Sequence, residues 1–537
     1  MPIHCLHLLL LLLVLSPCSA RCRFALDYTC PELLSSPPAV QSLLLSYASA
    51  QAAFASDGVG LDAGSGLTFD GHPLNYSTGQ PCGQPHTFSA ASKESLHLSL
   101  LALAVQGNAI AAAALGGRAS ALQALAAKLA SYTRFNATLP GYGCHLPWFE
   151  VPSLQPTADW AHPARVPALD NGQLAWAVFA AARVLAAAAA AGEPALLPLA
   201  QGWAAWFTCM ASSAKTVFYA GQGRVAAVAV VLNASAPPSA GNYERSGGGL
   251  LNDPYEGELF TVLLDLFAPW DSPAERQLLW AVKRPQLQAV NYSSAGGPIT
   301  AQRGWWFSAH ENWKAALLPY AQLPHSWAVL GSSERARSWQ AAEAGWPGLL
   351  ASASDLAALG SQAIPDYVSA LGVPALASPA AAPPSAYRHD VLAPYGSWQL
   401  LLHSRAEGAC WLRSVLAAPR MQGPAGATEA VASNGTLISP LATWDTTMTV
   451  VLAAAGGVGG IVGEALRLLP PGAPPAAGWA GLRHPLLPGA SAFDQFSATL
   501  EEEYGRAFPV LAGMELPFEV PRVQVPQDAL QPWPSCQ

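Results

Sequence analysis

Along much of the chain apolar residues recur every three or four positions, the spacing of helices that bury one face. Ser89–Val105 (SAASKESLHLSLLALAV) shows it behind a polar opening turn, and Ser120–Leu129, Gly172–Ala191 and Leu196–Met210 repeat it. The same spacing predicts helices over Tyr255–Phe267, Ala274–Val282, Trp306–Tyr320, Glu334–Glu343, Asp355–Leu359 and Asp445–Ala455. Strand-like alternation is rarer: Val217–Tyr219 with Val225–Leu232 suits a hairpin, and Phe518–Val525 an extended run. Val450–Val462 is apolar but shorter than the roughly 20 residues a bilayer span takes, so it reads as a buried helix. Loops rich in Pro, Gly, Ser and Asn separate the helices, with no βαβ rhythm. About ten or more helices in one long chain predict an all-α architecture. The closed solution at this length is a ring of helix pairs, an (α/α)6 toroid with a few short β segments in its loops. A TIM barrel is the second reading, and its alternating strands are missing. Ala375–Ser385 (ALASPAAAPPS) reads as a long loop inside a single domain, residues 21–537, because aromatic and acidic clusters fall on both sides of it.

Composition narrows the class. The chain has 537 residues, 51% hydrophobic and only 11% charged, enough to bury a large core. Its net charge of −8 and lack of a basic stripe argue against nucleic acid as a partner. At the N-terminus Leu8–Leu15 form a short apolar stretch and Cys18-Ser19-Ala20 ends in small residues, the pattern of a signal peptide over residues 1–20. A secreted protein without stable membrane insertion is expected. Asn-X-Ser/Thr sequons at Asn75, Asn136, Asn233, Asn291 and Asn434 agree with a glycoprotein. Of nine cysteines, Cys5 and Cys18 lie in the leader, leaving seven with no C-x-x-C pair. Disulfides are expected, at least one cysteine stays unpaired, and no metal site is expected.

Four stretches break the helical pattern alike: Asp170-Asn171-Gly172-Gln173-Leu174-Ala175-Trp176, Asn252-Asp253-Pro254-Tyr255-Glu256-Gly257-Glu258, Gly304-Trp305-Trp306-Phe307-Ser308-Ala309-His310-Glu311-Asn312-Trp313 and Thr443-Trp444-Asp445-Thr446-Thr447. Singly each is an ordinary helix start, since Asn, Asp and Pro cap helices and a first-turn acid gains about 0.3–1 kcal/mol from the dipole. Together they place carboxylates beside tryptophans, which outnumber phenylalanines 18 to 16. That combination suits a carbohydrate cleft, where apolar sugar faces stack on rings and hydroxyls bond to polar groups. Glycoside hydrolysis commonly needs two carboxyl groups, one protonating the leaving oxygen and one activating water or attacking. A glutamate set among Tyr255, Leu259 and Phe260 suits the acid, because desolvation disfavours its anion. Asp445, at a helix N-terminus, suits the base. No G-x-S-x-G elbow, H-E-x-x-H pair or P-loop lysine occurs, and Gly456–Gly460 follows no strand.

The ordered series LDNGQLAWAVFAAARVL, LLNDPYEGELFTVLLDLF, RGWWFSAHENWKAALLPYAQLP and TWDTTMTVVLAA resembles the endo-β-1,2-glucanases of eukaryotic, fungal type, with related glucoamylase-like proteins, from about Ser36 to Leu468. The resemblance implies an (α/α)6 toroid and an inverting hydrolase of linear β-1,2-glucan, with no metal or organic cofactor. It implies a glutamate general acid whose proton passes through a hydroxyl of the bound sugar, and a later aspartate that activates water. The aspartate falls on Asp445. The acid falls on Glu256, which fits a Glu-x-x-Leu pattern, with Glu258 as alternative; the two lie about 200° apart around a helix, so only one can face a cleft. Asp170, Trp176, Tyr255, Trp305, Trp306, His310, Glu311, Trp313 and Trp444 are the implied substrate contacts. A β-glucan is the expected partner and a monomer the expected state. Two other readings stay open: a polysaccharide lyase using Tyr387 or His389 with Asn312, and a non-catalytic glycan-binding wall protein.

Overall fold

Helices begin where something takes up the first-turn N–H groups that no preceding turn satisfies. Ser36, Ser272 and Ser491 accept from the amide three residues on, and Asn108 from those two and three residues on. Pro37, Pro273 and Pro324 stand at first helical positions, where a missing N–H is harmless. A computed structural model describes residues 22–158, 164–246, 249–252, 254–255, 257–304, 312–345, 373–378, 391–432, 434–471, 490–520 and 531–536. The helices that build the ring are α1 (Pro37–Gln51), α2 (Ala91–Gln106), α3 (Arg118–Thr138), α4 (Ala168–Ala190), α5 (Leu197–Phe218) and α6 (Gly257–Phe267). They continue with α7 (Pro273–Lys283), α8 (Pro324–Ala344), α9 (Trp398–His403), α10 (Arg405–Leu416), α11 (Thr449–Ala454) and α12 (Ala492–Ala507).

The fold is the all-α toroid the periodicity predicts. On its inner side α2 packs on α4, α4 on α6, α9 on α11, and α11 returns to α2. α12 and α8 complete the circle between α6 and α9. α3, α5, α7 and α10 pack behind α2, α4, α6 and α9, and α1 covers α10. Enclosure changes what the inner helices look like. Every residue of α6, and every residue of α2 except Gln106, is buried. α4 is long and apolar enough to cross a membrane, yet 72% of its most apolar window is buried inside the protein. A helix apolar on all sides is what the centre of a large core requires.

Other expectations need correction. Val450–Val462 is two helices, α11 and Gly459–Leu466, bent by 65° at Gly456-Gly457. Val217 and Phe218 end α5; the hairpin is the tighter Tyr219–Gly221 with Arg224–Val225. Val228–Val231 instead pairs with Arg165–Pro167 and Tyr243–Glu244. The longest ribbon among the described residues, Ala289–Ser294 with Gly297–Gln302, was not expected. Residues 518–520 form no strand, and the helix placed at Asp355–Leu359 lies outside the described residues. All named strand pairs among those residues are antiparallel, which removes the TIM barrel.

Three disulfides, Cys22–Cys536, Cys30–Cys410 and Cys144–Cys209, leave Cys82 free. Three histidines in or against the core carry an Nδ1 with no hydrogen-bond partner: His97, His145 and His403. Burial pushes His145 down to about 3 and His403 down to about 4, the latter helped by Arg335, and holds His97 well below its usual value. These rings fold neutral and take up protons near pH 6.5 only when the chain unfolds. Their contribution is therefore whole above about pH 6.5 and is lost as pH falls towards 4, on the order of 1 kcal/mol per pH unit for each. Thermal unfolding scanned from pH 7.5 to 4.5 is expected to show a falling midpoint below pH 6.5; a flat profile would refute this.

Candidate active site

Asp445 lies in a π-helical turn, Trp444–Met448, that leads into α11. Such turns arise where an extra residue is held by side-chain bonds, often at functional sites. Here Thr443 Oγ1 accepts from the Thr446 N–H at 3.2 Å. Buried Glu429 receives the Thr443 hydroxyl at 2.7 Å and the Thr446 hydroxyl at 2.6 Å, so the turn is fastened on both sides of Asp445. Just before it, strand Leu441–Thr443 pairs with Gly71–Pro73, Thr443 opposite Gly71. The approach is so close that a Cβ at Gly71 would lie 2.7 Å from the Ala442 carbonyl. This pairing delivers Asp70, whose carbonyl accepts from the Trp444 N–H at 3.3 Å.

Lys93, on the first turn of α2, joins the acids. Its Nζ is 2.8 Å from Asp445 Oδ2 and 3.3 Å from Asp70 Oδ1, and Asp70 Oδ2 meets His86 Nδ1 at 3.3 Å. The Lys93 side chain is 8% exposed. Burial works against its charge, but Asp445 and Asp70, with Asp170 on the first turn of α4, hold it above the ordinary lysine range. Burial likewise works against the Asp70 anion and is outweighed by Lys93 and His86, so that carboxyl is held below its usual range. Asp445 itself is 20% exposed, and its second oxygen, Oδ1, has no hydrogen-bond partner.

Beside this cluster stands a shelf of half-buried rings. Trp148 stacks on Phe88 with centroids 5.3 Å apart, Phe88 stacks on His86 at 6.3 Å, and Lys93 Nζ lies 5.8 Å from the Trp148 ring. Asn171 fixes the Trp148 loop against α4: its Oδ1 accepts from the Leu146 N–H at 2.8 Å, and its Nδ2 donates to the Leu146 carbonyl at 2.9 Å. Rings partly open next to carboxylates can hold the apolar face of a sugar while the acids meet its hydroxyls. Asp70, Lys93, His86, Phe88, Trp148 and Glu429 were all missed in the sequence. Only Trp148, two residues before Glu150, carried the tryptophan-beside-acid signal that marked the other stretches.

The expected residues divide three ways. Asp445 and Asp170 come together at Lys93. Glu256, Trp305, Trp306, His310 and Glu311 lie outside the described residues, as do Tyr387 and His389. Glu258, Trp176, Tyr255, Trp313 and Trp444 need correction, because all five are buried in the protein with no face for a sugar. The Trp176 indole donates to the Leu259 carbonyl at 2.9 Å, tying α4 to α6, and the Trp444 indole to the Gly60 carbonyl at 2.6 Å. Tyr255 donates to the Gln302 carbonyl at 2.9 Å, its ring filling the space where a Cβ on Gly304 would stand. Glu258 pairs with Lys314 at 3.0 Å and accepts from the hydroxyls of Tyr320 and Tyr504. It is a buried anion held by one cation and two hydroxyls. Asn312, offered to the lyase, is also buried and donates to Gln399 at 2.7 Å. No group of three His, Cys, Asp or Glu that could hold a metal occurs among the described residues.

Known proteins share both the sequence and the fold. Residues 67–468 match the family described as endo-beta-1,2-glucanase SGL, a span that begins just before Asp70 and ends after Asp445. Among solved structures, the endo-beta-1,2-glucanase of Talaromyces funiculosus in complex with sophorose is 34% identical, with a TM-score of 0.83 over 96% of this chain and 99% of that one. A Glu-to-Gln mutant of the enzyme from the same organism, in complex with beta-1,2-glucan, is 33% identical with a TM-score of 0.84 over the same shares. The endo-beta-1,2-glucanase of Chitinophaga pinensis shares the fold at 10% identity, with a TM-score of 0.58 over 79% of this chain and 95% of that one. Among curated protein sequences no significant match was found. The chain belongs to the endo-β-1,2-glucanase SGL family of glycoside hydrolases.

Proposed function

We propose that this protein is a secreted, inverting endo-β-1,2-glucanase in which Asp445 is the general base and Glu256 the general acid. The observation that carries the proposal is the state of Asp445: in a side chain 20% exposed, one carboxylate oxygen is held by Lys93, and the other is buried without a hydrogen-bond partner. A base that must collect a proton from water needs such an oxygen. In the proposed step a water loses its proton to Asp445 Oδ1 as its oxygen bonds to the anomeric carbon from the face opposite the leaving sugar. The glycosidic C–O bond breaks with its electron pair moving to the leaving oxygen. That oxygen takes a proton that Glu256 supplies through a hydroxyl of the bound sugar. One displacement at the carbon inverts its configuration.

The substrate follows from the Talaromyces relatives, crystallised with sophorose and with beta-1,2-glucan. The described site opposes three aspartates, Asp70, Asp170 and Asp445, to Lys93 and His86, which suits a neutral glucan and disfavours the polyuronide a lyase would need. Secretion is supported by the leader, by three disulfides and by exposed sequon asparagines at Asn75, Asn233, Asn291 and Asn434. The test is incubation of the purified protein with linear β-1,2-glucan, following products by chromatography and proton NMR. Short oligosaccharides whose new reducing ends appear first as the α-anomer are expected. A β-anomer appearing first would overturn inversion, and no release would overturn the assignment of substrate.

A further inference from the structure

We propose that Lys93 is the positioning residue of the base, holding Asp445 by Oδ2 so that Oδ1 is presented to the attacking water. This rests on the assignment of Asp445 above and adds the group through which the fold aims it. Among the described residues Lys93 is the one lysine or arginine in ion-pair contact with Asp445, and it bridges the same carboxylate to Asp70.

Its own place is secured by the next residue. Glu94 points the other way, into the protein, and accepts from the Thr68 N–H and hydroxyl, the Ser89 hydroxyl, Lys128 Nζ and the Tyr132 hydroxyl. With five donors on a fully buried carboxylate, the start of α2 is a rigid mount for Lys93. Without the ammonium, Asp445 would share the site with Asp70 and Asp170 and lose the lysine that offsets all three, and like charges resist ionising together.

Among the described residues no other group packed on the turn can take over. Glu429 is committed to Thr443 and Thr446, and Tyr47 of α1 to the Thr447 carbonyl. His97 of α2 lies 4.9 Å from the Trp444 ring and is kept neutral by burial. His86 reaches Asp70 rather than Asp445.

The test compares Lys93→Met and Lys93→Arg with wild type on linear β-1,2-glucan across pH, and adds a crystal structure of Lys93→Met. Lys93→Met is expected to lose at least ~100-fold in kcat with KM within about threefold, and to move the acid limb of its pH–rate profile upward. Lys93→Arg keeps the charge and is expected to regain at least about tenfold of that rate and the wild-type acid limb. In the Lys93→Met crystals the Asp445 carboxylate is expected to rotate away from its present position. An unchanged kcat, or a raised KM with kcat intact, would overturn the proposal. If Lys93→Met does not fold, Lys93→Met with Asp70→Asn, which removes one opposing charge, is held to the same criteria. If wild type releases nothing from the glucan, the substrate assignment falls, and the orientation of Asp445 in the crystals alone decides for or against Lys93.

Discussion

Asp445→Asn is expected to lower kcat on β-1,2-glucan by ~10³-fold while KM stays within about threefold. Asparagine keeps the shape and the Oδ position that faces Lys93, but its amide cannot accept a proton from water. Substrate contacts made elsewhere in the cleft are untouched, so the loss should fall on turnover rather than binding. The fold should survive, because Lys93 retains Asp70 at 3.3 Å and the turn is held by Glu429 through Thr443 and Thr446. A thermal midpoint within about 2 °C of wild type, on the usual scaling of stability with size, would confirm that the loss is chemical. In Asp445→Gly, added formate can enter the vacated space and serve as the base, so partial rescue is expected. A large rise in KM with kcat preserved would show that Asp445 binds the glucan instead.

Glu256→Gln and Glu258→Gln should fail in opposite ways. Glu256→Gln is expected to abolish hydrolysis with thermal stability unchanged. Glu258→Gln is expected to unfold at a lower temperature, having lost about 3 kcal/mol or more, the usual effect of stripping one partner from a buried ion pair. Glu258 is fully buried, and Lys314, Tyr320 and Tyr504 all direct donors at it, so a glutamine NH₂ would confront donors with a donor. Tyr504 belongs to α12, beyond the matched family span, so this carboxylate fastens the C-terminal helix to the inner ring. The double variant Glu258→Gln with Lys314→Met leaves no lone charge and should lose less stability than the two single losses summed. A Glu258→Gln protein as stable as wild type but inactive would return Glu258 to catalysis.

Much of the fold could be read from the sequence because helical spacing survives whatever surrounds a helix. α4, α6 and α7 appear within a few residues of their expected places, and α5 starts where expected but runs past Met210 to Phe218. What the spacing could not show was the surroundings. α2 reads as amphipathic, but its Lys93 and Glu94 occupy the expected polar face for two buried tasks, one at the site and one beneath it. The site was half legible for the same reason. The stretches at Asp170, Asn252 and Thr443 flagged helix starts, but a helix start looks alike whether its tryptophan fills the core, as Trp176 and Trp444 do, or lines a cleft. Asp70, His86 and Trp148 reach Asp445 only through strand pairing and loops far apart in the chain, which no local pattern encodes. α1, α9, α10 and α12 escaped notice, although Ser491 and Asp494 form a full capping box at the start of α12.

The bridge between Cys22 and Cys536 joins residues 514 positions apart, and Cys30–Cys410 spans 380. A cysteine made among the first must therefore wait as a thiol until almost the whole polypeptide has been synthesised. Cys144 and Cys209, only 65 apart, can meet while the ribosome is still at work. Cys82 emerges between these groups and is a ready wrong partner for either waiting thiol. On the secretory route proposed above, maturation should accordingly depend on disulfide exchange, with the closing of the ring as its last covalent event.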